Sequence, residues 1–286
     1  MNNSVLIFGK NSFVASGIEE VLTNSGFEIE FFTRGESNRK GNIIFGKTED
    51  ILQNPFFQQE YDFIINYVVL KNSSISENLD FIKSLLEFGL KHNVKKLIHF
   101  SSIMVYNYDE KYIDENTKIE SSIKTTKKGY GAIKIAVDEF ILSVKSKYPF
   151  EIILVRPGYV LDKSRVCPFV KKFPFRINLI KGNKKSKQPI VKKEKIHKAI
   201  KEILTQNENL SVYHFFPNND QTKFQFAKEN YNGIFLPMPE IIFRYIPLLI
   251  NKLGILPKSL YSRFEGMYIK GIFSSKQTEK KLKIKF

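Results

Sequence analysis

A chain of 286 residues is long enough to bury a sizeable core, and 42% hydrophobic residues with 26 Phe and 13 Tyr describe a folded globule rather than a disordered chain. The single cysteine, Cys167, excludes an internal disulfide framework and a cysteine-rich zinc site, and fits a reducing, cytoplasmic setting. A formal net charge of +16 admits anionic partners. No zinc-finger spacing, ribonucleoprotein aromatic motif or helix-turn-helix signature accompanies that charge, so nucleic acid is not expected among them.

In chain order, residues 4–8 form a short apolar run ending at Gly9, and 13–23 carry Val14, Ile18, Val21 and Leu22 at helical spacing. The N-terminus enters this pattern directly, so no signal peptide is expected. Strand patterns follow at 28–33 and 43–45. Residues 63–69 are almost continuously apolar, as a strand buried on both faces has to be. An amphipathic helix at 78–92 aligns Leu79, Ile82, Leu85, Leu86 and Leu90; a strand at 96–101, a long helix at 128–145 and a strand at 151–155 come next. Strands alternating with helices of this length predict a parallel sheet with right-handed crossovers, hence an α/β, doubly wound, Rossmann-like fold. Beyond Pro157 the alternation fades. Residues 190–204 read as strand then helix, and 237–256 as a proline-punctuated apolar stretch, expected to be a buried core or dimer helix. Glu240, Arg244 and Lys252 interrupt it, and no run of about 18 apolar residues exists to cross a membrane. Lysines gather at 181–195 and 276–285, where charge runs are mostly solvated surface.

Three segments carry chemistry. After the first strand comes Gly9-Lys10-Asn11-Ser12-Phe13-Val14-Ala15, whose small residues at 9, 12 and 15 let a backbone approach a pyrophosphate. Only the first glycine of a G-x-x-G-x-x-G turn is present, so Ser12 must adopt the turn without glycine's freedom. At the end of the second strand, Arg34 stands where an acid would accept from an adenosine ribose. A guanidinium there suits a 2′-phosphate and argues for NADP over NAD, unless Arg34 is only a solvated strand end. Tyr130-Gly131-Ala132-Ile133-Lys134 sets a phenol and an ammonium one helical turn apart on one face. The same spacing at Tyr67/Lys71 and Tyr159/Lys163 falls in strand patterns, where i and i+4 diverge, and reads as coincidence. Beside Lys134 the phenol is expected to titrate below its ordinary value of about 10, and so to pass a proton to or from a substrate oxygen. Ser102, after the 96–101 strand, would polarise the same oxygen, or simply cap a turn.

Taken together, Gly9-x-x-Ser12-Phe13-Val14-Ala15, Lys96-Leu97-Ile98-His99-Phe100-Ser101-Ser102-Ile103-Met104-Val105-Tyr106, Tyr130-x-x-x-Lys134 and Val155-Arg156-Pro157-Gly158-Tyr159-Val160 resemble the extended short-chain dehydrogenase/reductase family. The branch they look most like is the NAD-dependent epimerase/dehydratase group acting on nucleotide sugars, in register over residues 4–205. The resemblance implies Ser102, Tyr130 and Lys134 as catalytic residues and no metal. It implies Gly9, Asn11, Ser12, Phe13, Val14, Arg34, Asn66, Tyr130, Lys134 and Pro157 around NADP, or around NAD. It divides the chain into a dinucleotide-binding core over 1–157, rejoined by 190–205, and a smaller, irregular C-terminal lobe over 158–286 that binds substrate. Arg165, Lys171, Lys172 and Arg176 lie where this family contacts the nucleotide diphosphate. Two departures matter: Lys47-Thr48 stand in place of an adenine-contacting Asp, and Ile103-Met104 in place of the carboxylate that dehydratases keep beside the Ser/Thr. Dehydration is thereby disfavoured, leaving keto-sugar reduction or 4-epimerisation. A cytoplasmic homodimer serving surface polysaccharide biosynthesis is implied, with weak peripheral membrane contact open to the apolar, basic C-terminal part. Two alternatives stay open: a non-catalytic dinucleotide-binding sensor or scaffold, and a reductase of a hydrophobic or lipid-linked alcohol. His197 and His214 have no metal-like spacing and read as core or surface residues.

Overall fold

Along the first strand, Val5 and Ile7 are buried in one apolar layer and Leu6 and Phe8 in another, so the sheet must be covered by helices on both faces. The computed structural model describes residues 3–57, 60–107, 112–125, 127, 129–162, 167, 169–181, 185, 187, 189–217, 221–238, 245–254 and 272–286. The first elements are β1 (Ser4–Phe8), α1 (Ile18–Thr23), β2 (Glu28–Arg34), β3 (Asn38–Lys40), β4 (Ile43–Gly46), β5 (Phe63–Asn66) and α2 (Ile75–Lys91). Next come β6 (Lys96–Phe100), β7 (Tyr112–Ile113), α3 (Tyr130–Val144), β8 (Glu151–Pro157), β9 (Tyr159–Leu161), β10 (Val170–Phe173) and β11 (Ile177–Ile180). The remainder is β12 (Ile190–Lys192), α4 (Lys193–Thr205), β13 (Val212–Phe215), α5 (Lys223–Asn230), β14 (Ile234–Pro237), α6 (Ile246–Lys252), β15 (Ile272–Phe273) and α7 (Lys276–Leu282).

Eight strands form one sheet in the order β13-β8-β6-β5-β1-β2-β4-β3. All neighbours are parallel except β3, which pairs antiparallel with β4. Helices α1, α4 and α7 cover the face of Val5 and Ile7, contributing Ile18, Leu22, Ile196, Ile200, Ile203 and Leu282. Helices α2 and α3 cover the other face with Phe81, Leu85, Phe88, Ile133, Val137 and Ile141. This is the doubly wound α/β architecture expected from the alternation of strands and helices. Strand order reverses at β1, between β2 and β5, and open sheets of this kind bind ligands in the crevice at such a switch point.

Several boundaries differ from the sequence expectation for local reasons. Helix α1 begins at Ile18 instead of 13, because overlapping turns occupy 9–16 and Gly17 takes a φ of 89° before the helix. Helix α2 begins earlier than 78, at Ile75, because Ser74 and Glu77 form a capping box: Ser74 Oγ accepts from Glu77 N–H at 3.1 Å and Glu77 accepts from Ser74 N–H at 2.6 Å. Strand β5 stops at Asn66 rather than 69, since Val68 N–H bonds the Asn66 side chain at 2.9 Å and leaves the ladder. Past residue 157, β13 supplies an edge of the large sheet, while β10, β11 and β14 form a small separate sheet. In α6 and beside it, Tyr245, Ile246, Leu249 and Leu253 are exposed instead of buried in this chain's core. Among the described residues no helix is long and apolar enough to cross a membrane.

A buried polar chain ties the later segments to the core. Arg156 on β8 donates from Nε to Asp138 Oδ2 on α3 at 2.9 Å and from Nη1 to the Tyr106 hydroxyl at 2.6 Å. Tyr106 donates to His214 Nε2 at 2.5 Å, and His214 Nδ1 donates to the Ser274 carbonyl at 3.0 Å. Burial pushes His214 down to about 3, so it is neutral and holds this donor–acceptor pattern. Removing the carboxylate would strand a guanidinium in the interior. Asp138→Ala is therefore expected to lower unfolding stability by about 3–5 kcal/mol in urea titrations; an unchanged midpoint would contradict the role given to the pair.

Candidate active-site cleft

Gly9 ends β1 with a φ of 94° and donates its N–H to the Phe32 carbonyl at 3.1 Å. A Cβ there would meet Val68 Cγ2 at 3.1 Å, so this position of the turn needs glycine both for its backbone and for space. Ser12 and Ala15 adopt ordinary negative φ, and small side chains suffice where further glycines were expected. Helix α4 braces the turn: His197 Nε2 donates to the Val14 carbonyl at 2.7 Å, and Lys193 Nζ lies 2.9 Å from Ser16 Oγ.

A cleft of 870 Å³ opens above the carboxyl ends of β1, β2 and β5. Gly9, Asn11, Ser12, Phe13 and Val14 form one wall, and Thr33 and Arg34 lie at the end of β2. Tyr130 closes it from α3, and Gly158, Tyr159 and Val160 from beyond β8. An adjoining cleft of 760 Å³ shares Arg34 and Thr48 and extends past Lys47 toward Glu77 and Asp80. Arg34 is exposed, and among the described residues no carboxylate pairs with it.

Tyr130 and Lys134 sit one turn apart in the first half of α3, and Lys134 Nζ is 5.8 Å from the Tyr130 ring centroid. Lys134 is buried and donates to the Phe100 carbonyl at the end of β6. A second ammonium, Lys71, lies over the same ring, also at 5.8 Å, and lines the cleft. The expectation that Lys134 would draw the phenol down is not met. Burial pushes Tyr130 up to about 12, with the Asp138 carboxylate adding to the rise, so the phenol carries its proton at neutral pH. Lys134 shifts the other way: burial brings it down to about 8, opposed by Asp138 and reinforced by Lys71.

The other sequence-predicted residues stand outside the cleft wall. Ser102, half-buried, accepts from Met104 N–H at 3.2 Å as the cap of a 3-10 turn at Ile103–Val105 that packs on α3. Asn66 is buried behind the wall; its amide bonds His99 Nδ1 at 3.0 Å and holds Val68. Pro157 ends β8, and its neighbour Gly158 is the lining residue, pressed so closely to Pro189 that a Cβ would lie 2.0 Å from that carbonyl oxygen. Arg165 lies outside the described residues; Lys171 and Lys172 lie on β10 and Arg176 in the turn between β10 and β11, away from the cleft wall.

Sequence reasoning set aside Tyr67, Lys71 and Tyr159, yet all three line the cleft. The usable signal was position: Tyr67 and Lys71 follow the carboxyl end of β5, the rim on which a doubly wound sheet binds ligands. Two observations fit a dinucleotide here. The Gly9 turn, which has no room for a side chain, brings bare backbone to the cleft wall, and the buried Tyr67 hydroxyl, driven up by desolvation, has no hydrogen-bond partner among the described residues. No group of His, Cys, Asp and Glu among the described residues could hold a metal ion.

Fold, switch-point cleft and glycine turn are those of a doubly wound α/β protein of the short-chain dehydrogenase/reductase type. The chain belongs to the NAD dependent epimerase/dehydratase family, whose family model matches residues 5–191. Similar solved structures include a short-chain dehydrogenase/reductase superfamily protein from Agrobacterium tumefaciens with bound NAD, at 12% identity over 99% of this chain and 92% of that one, with a TM-score of 0.71. Epimerase Mth375 from Methanothermobacter thermautotrophicus is 15% identical over 99% and 87% of the two chains, with a TM-score of 0.68. UDP-glucuronic acid 4-epimerase from Bacillus cereus, in complex with UDP-glucuronic acid and NAD, is 12% identical over 98% and 93%, with a TM-score of 0.64. At such identities the likeness speaks for the fold. No curated protein matches the chain by sequence.

The electrostatics of the cleft give a signed prediction. Lys134 is charged below about 8 and neutral above, and Lys71 is one cause of that low value. Lys71→Met is therefore expected to move the alkaline limb of a kcat/KM profile to higher pH. An unmoved limb would assign it to another group.

Proposed function

We propose that the protein is an NAD(P)-dependent oxidoreductase or epimerase acting on a nucleotide-activated sugar, by keto-sugar reduction or 4-epimerisation, with NADP the preferred cofactor. The observation that carries this reading is Tyr130 in the wall of the cleft opened by the Gly9 turn, with Lys134 and Lys71 each 5.8 Å from its ring. A bound nicotinamide supplies the site that takes up or delivers hydride. Tyr130, protonated at neutral pH, gives its phenolic proton to the sugar oxygen in the reducing direction and takes it back in the oxidising one. An epimerase uses both directions without net redox change, whereas a reductase uses one. Purified protein carrying tightly held oxidised cofactor would favour the epimerase.

In this reading Lys134 and Lys71 stabilise the phenolate that forms when the proton leaves. Ser102 stands outside the cleft wall, and its hydroxyl, which accepts from Met104, keeps its own proton to donate to a substrate oxygen that reaches it. Gly9, Asn11, Ser12, Phe13 and Val14 hold the pyrophosphate, and Asn66 and Pro157 position the backbone around the nicotinamide end. Arg34, exposed and without an ion-pair partner among the described residues, is the group to meet a 2′-phosphate. None of the described residues that line the cleft is a carboxylate, which supports redox chemistry at a carbinol or ketone over dehydration. The division into a core over 1–157 with 190–205 and a substrate lobe over 158–286 belongs to the same proposal. The cytoplasmic homodimer and the polysaccharide role rest on the family resemblance.

Two substitutions test the reading. Tyr130→Phe is expected to lower turnover about 100-fold or more while cofactor binding, followed by thermal shift, holds. Undiminished turnover would remove Tyr130 from the chemistry. Arg34→Glu is expected to shift preference from NADP toward NAD, read as the ratio of the two kcat/KM values; a constant ratio would take Arg34 out of the cofactor site.

A further inference from the structure

We propose that the outer face of the small sheet docks the protein on an anionic phospholipid bilayer. The register of its strands sorts every side chain to one of two faces. Val170, Ile180 and Pro237 form one row of the inner face, and Lys172, Asn178 and Phe235 the next; Val170 and Ile180 join the buried cluster with Ala227 and Phe169. The outer face carries the rows Lys171, Leu179, Leu236 and Phe173, Ile177, Ile234. Five of those six positions are apolar, and Ile234 is 62%, Leu236 46% and Phe173 42% exposed. A sheet with one face in water normally presents polar residues there, so this face inverts the rule. It contributes nothing to the wall of the catalytic cleft.

The hairpin tip extends the same surface. Phe175 is 91% exposed and, with Arg176, sits at positive φ (60° and 58°), a conformation that side-chain-bearing residues seldom adopt. The tip is anchored on the neighbouring strand. Asn178 Nδ2 donates to the Asn232 carbonyl at 3.0 Å, and Gly233 passes so close to Arg176 that a Cβ would lie 1.9 Å from its carbonyl oxygen. An aromatic ring is thus presented to solvent from a braced turn.

Charge selects the occupant. Residues 170–181 contain Lys171, Lys172, Arg176 and Lys181 and no acid, and 233–238 contain no acid either. A second copy placed on this face would bring like charges together around the apolar patch, in a chain of net charge +16. An anionic bilayer offers what the face asks for: negative headgroups for the basic rim and hydrocarbon for Phe173, Phe175, Ile234 and Leu236.

The test is co-sedimentation of the full chain with vesicles of phosphatidylcholine alone and of equal parts phosphatidylcholine and phosphatidylglycerol. Binding is expected only with phosphatidylglycerol and should weaken as salt rises. The double variant Phe175→Gly, Leu236→Ser should weaken it about tenfold or more. Thermal stability should hold in that variant, because glycine relieves the positive φ at 175 and position 236 is solvent-facing. No retention on anionic vesicles would overturn the proposal, and so would equal retention of the variant. Light scattering that shows a dimer dissolved by the same variant would also overturn it, making a second copy the occupant.

Discussion

The ion pair between Arg156 and Asp138 is the constraint on which the rest of the site depends. Both groups are buried, so each needs the other, and their bond fixes how α3 lies against β8. Tyr130, Lys134 and Asp138 follow one another at intervals of four on α3. Setting Asp138 against the strand therefore sets the phenol and the ammonium over the sheet's carboxyl rim. Continuation of the chain through Tyr106 and His214 to Ser274 fastens the last segments of the protein to the same point.

Burial then decides the acid–base character of the site. A phenol and an ammonium taken out of water each favour the neutral form, so Tyr130 rises while Lys134 falls. The two values, close together in water, are driven apart, to about 12 and about 8. The Asp138 carboxylate raises both, which keeps the lysine charged closer to neutrality and the phenol protonated. A lysine beside a tyrosine in a sequence says only that a cation is near; desolvation sets the direction of the Tyr130 shift here.

Much of the fold was legible because its signals are periodic and local. The apolar runs at 4–8 and 96–101, and the stripe of Leu79, Ile82, Leu85 and Leu86, report burial on two faces or one. Legible too were the Gly9 turn, Arg34 and Tyr130, since each lies next to the carboxyl end of a recognisable strand or at the start of a helix. Lys71 and Tyr67 carry the same positional signal past the end of β5, but the apolar run through 69 hides it, because the strand stops at Asn66 only where that side chain takes Val68 N–H. His197 was equally hidden: its partner is Val14, 183 residues earlier. The outer face of the small sheet could not be read from 170–180 alone, because it exists only once β14 is in register beside β11.

By itself the sequence determined the class of fold, the glycine turn after β1 and the one-turn spacing of Tyr130 and Lys134, since alternation, small residues and helical spacing are properties of neighbouring positions. Tertiary structure decided which side chains share a cavity, which polar groups lose water, and which apolar strands are left uncovered. Those outcomes depend on segments tens to hundreds of residues apart, and burial and dielectric environment are set by what packs around a group, not by what precedes it in the chain.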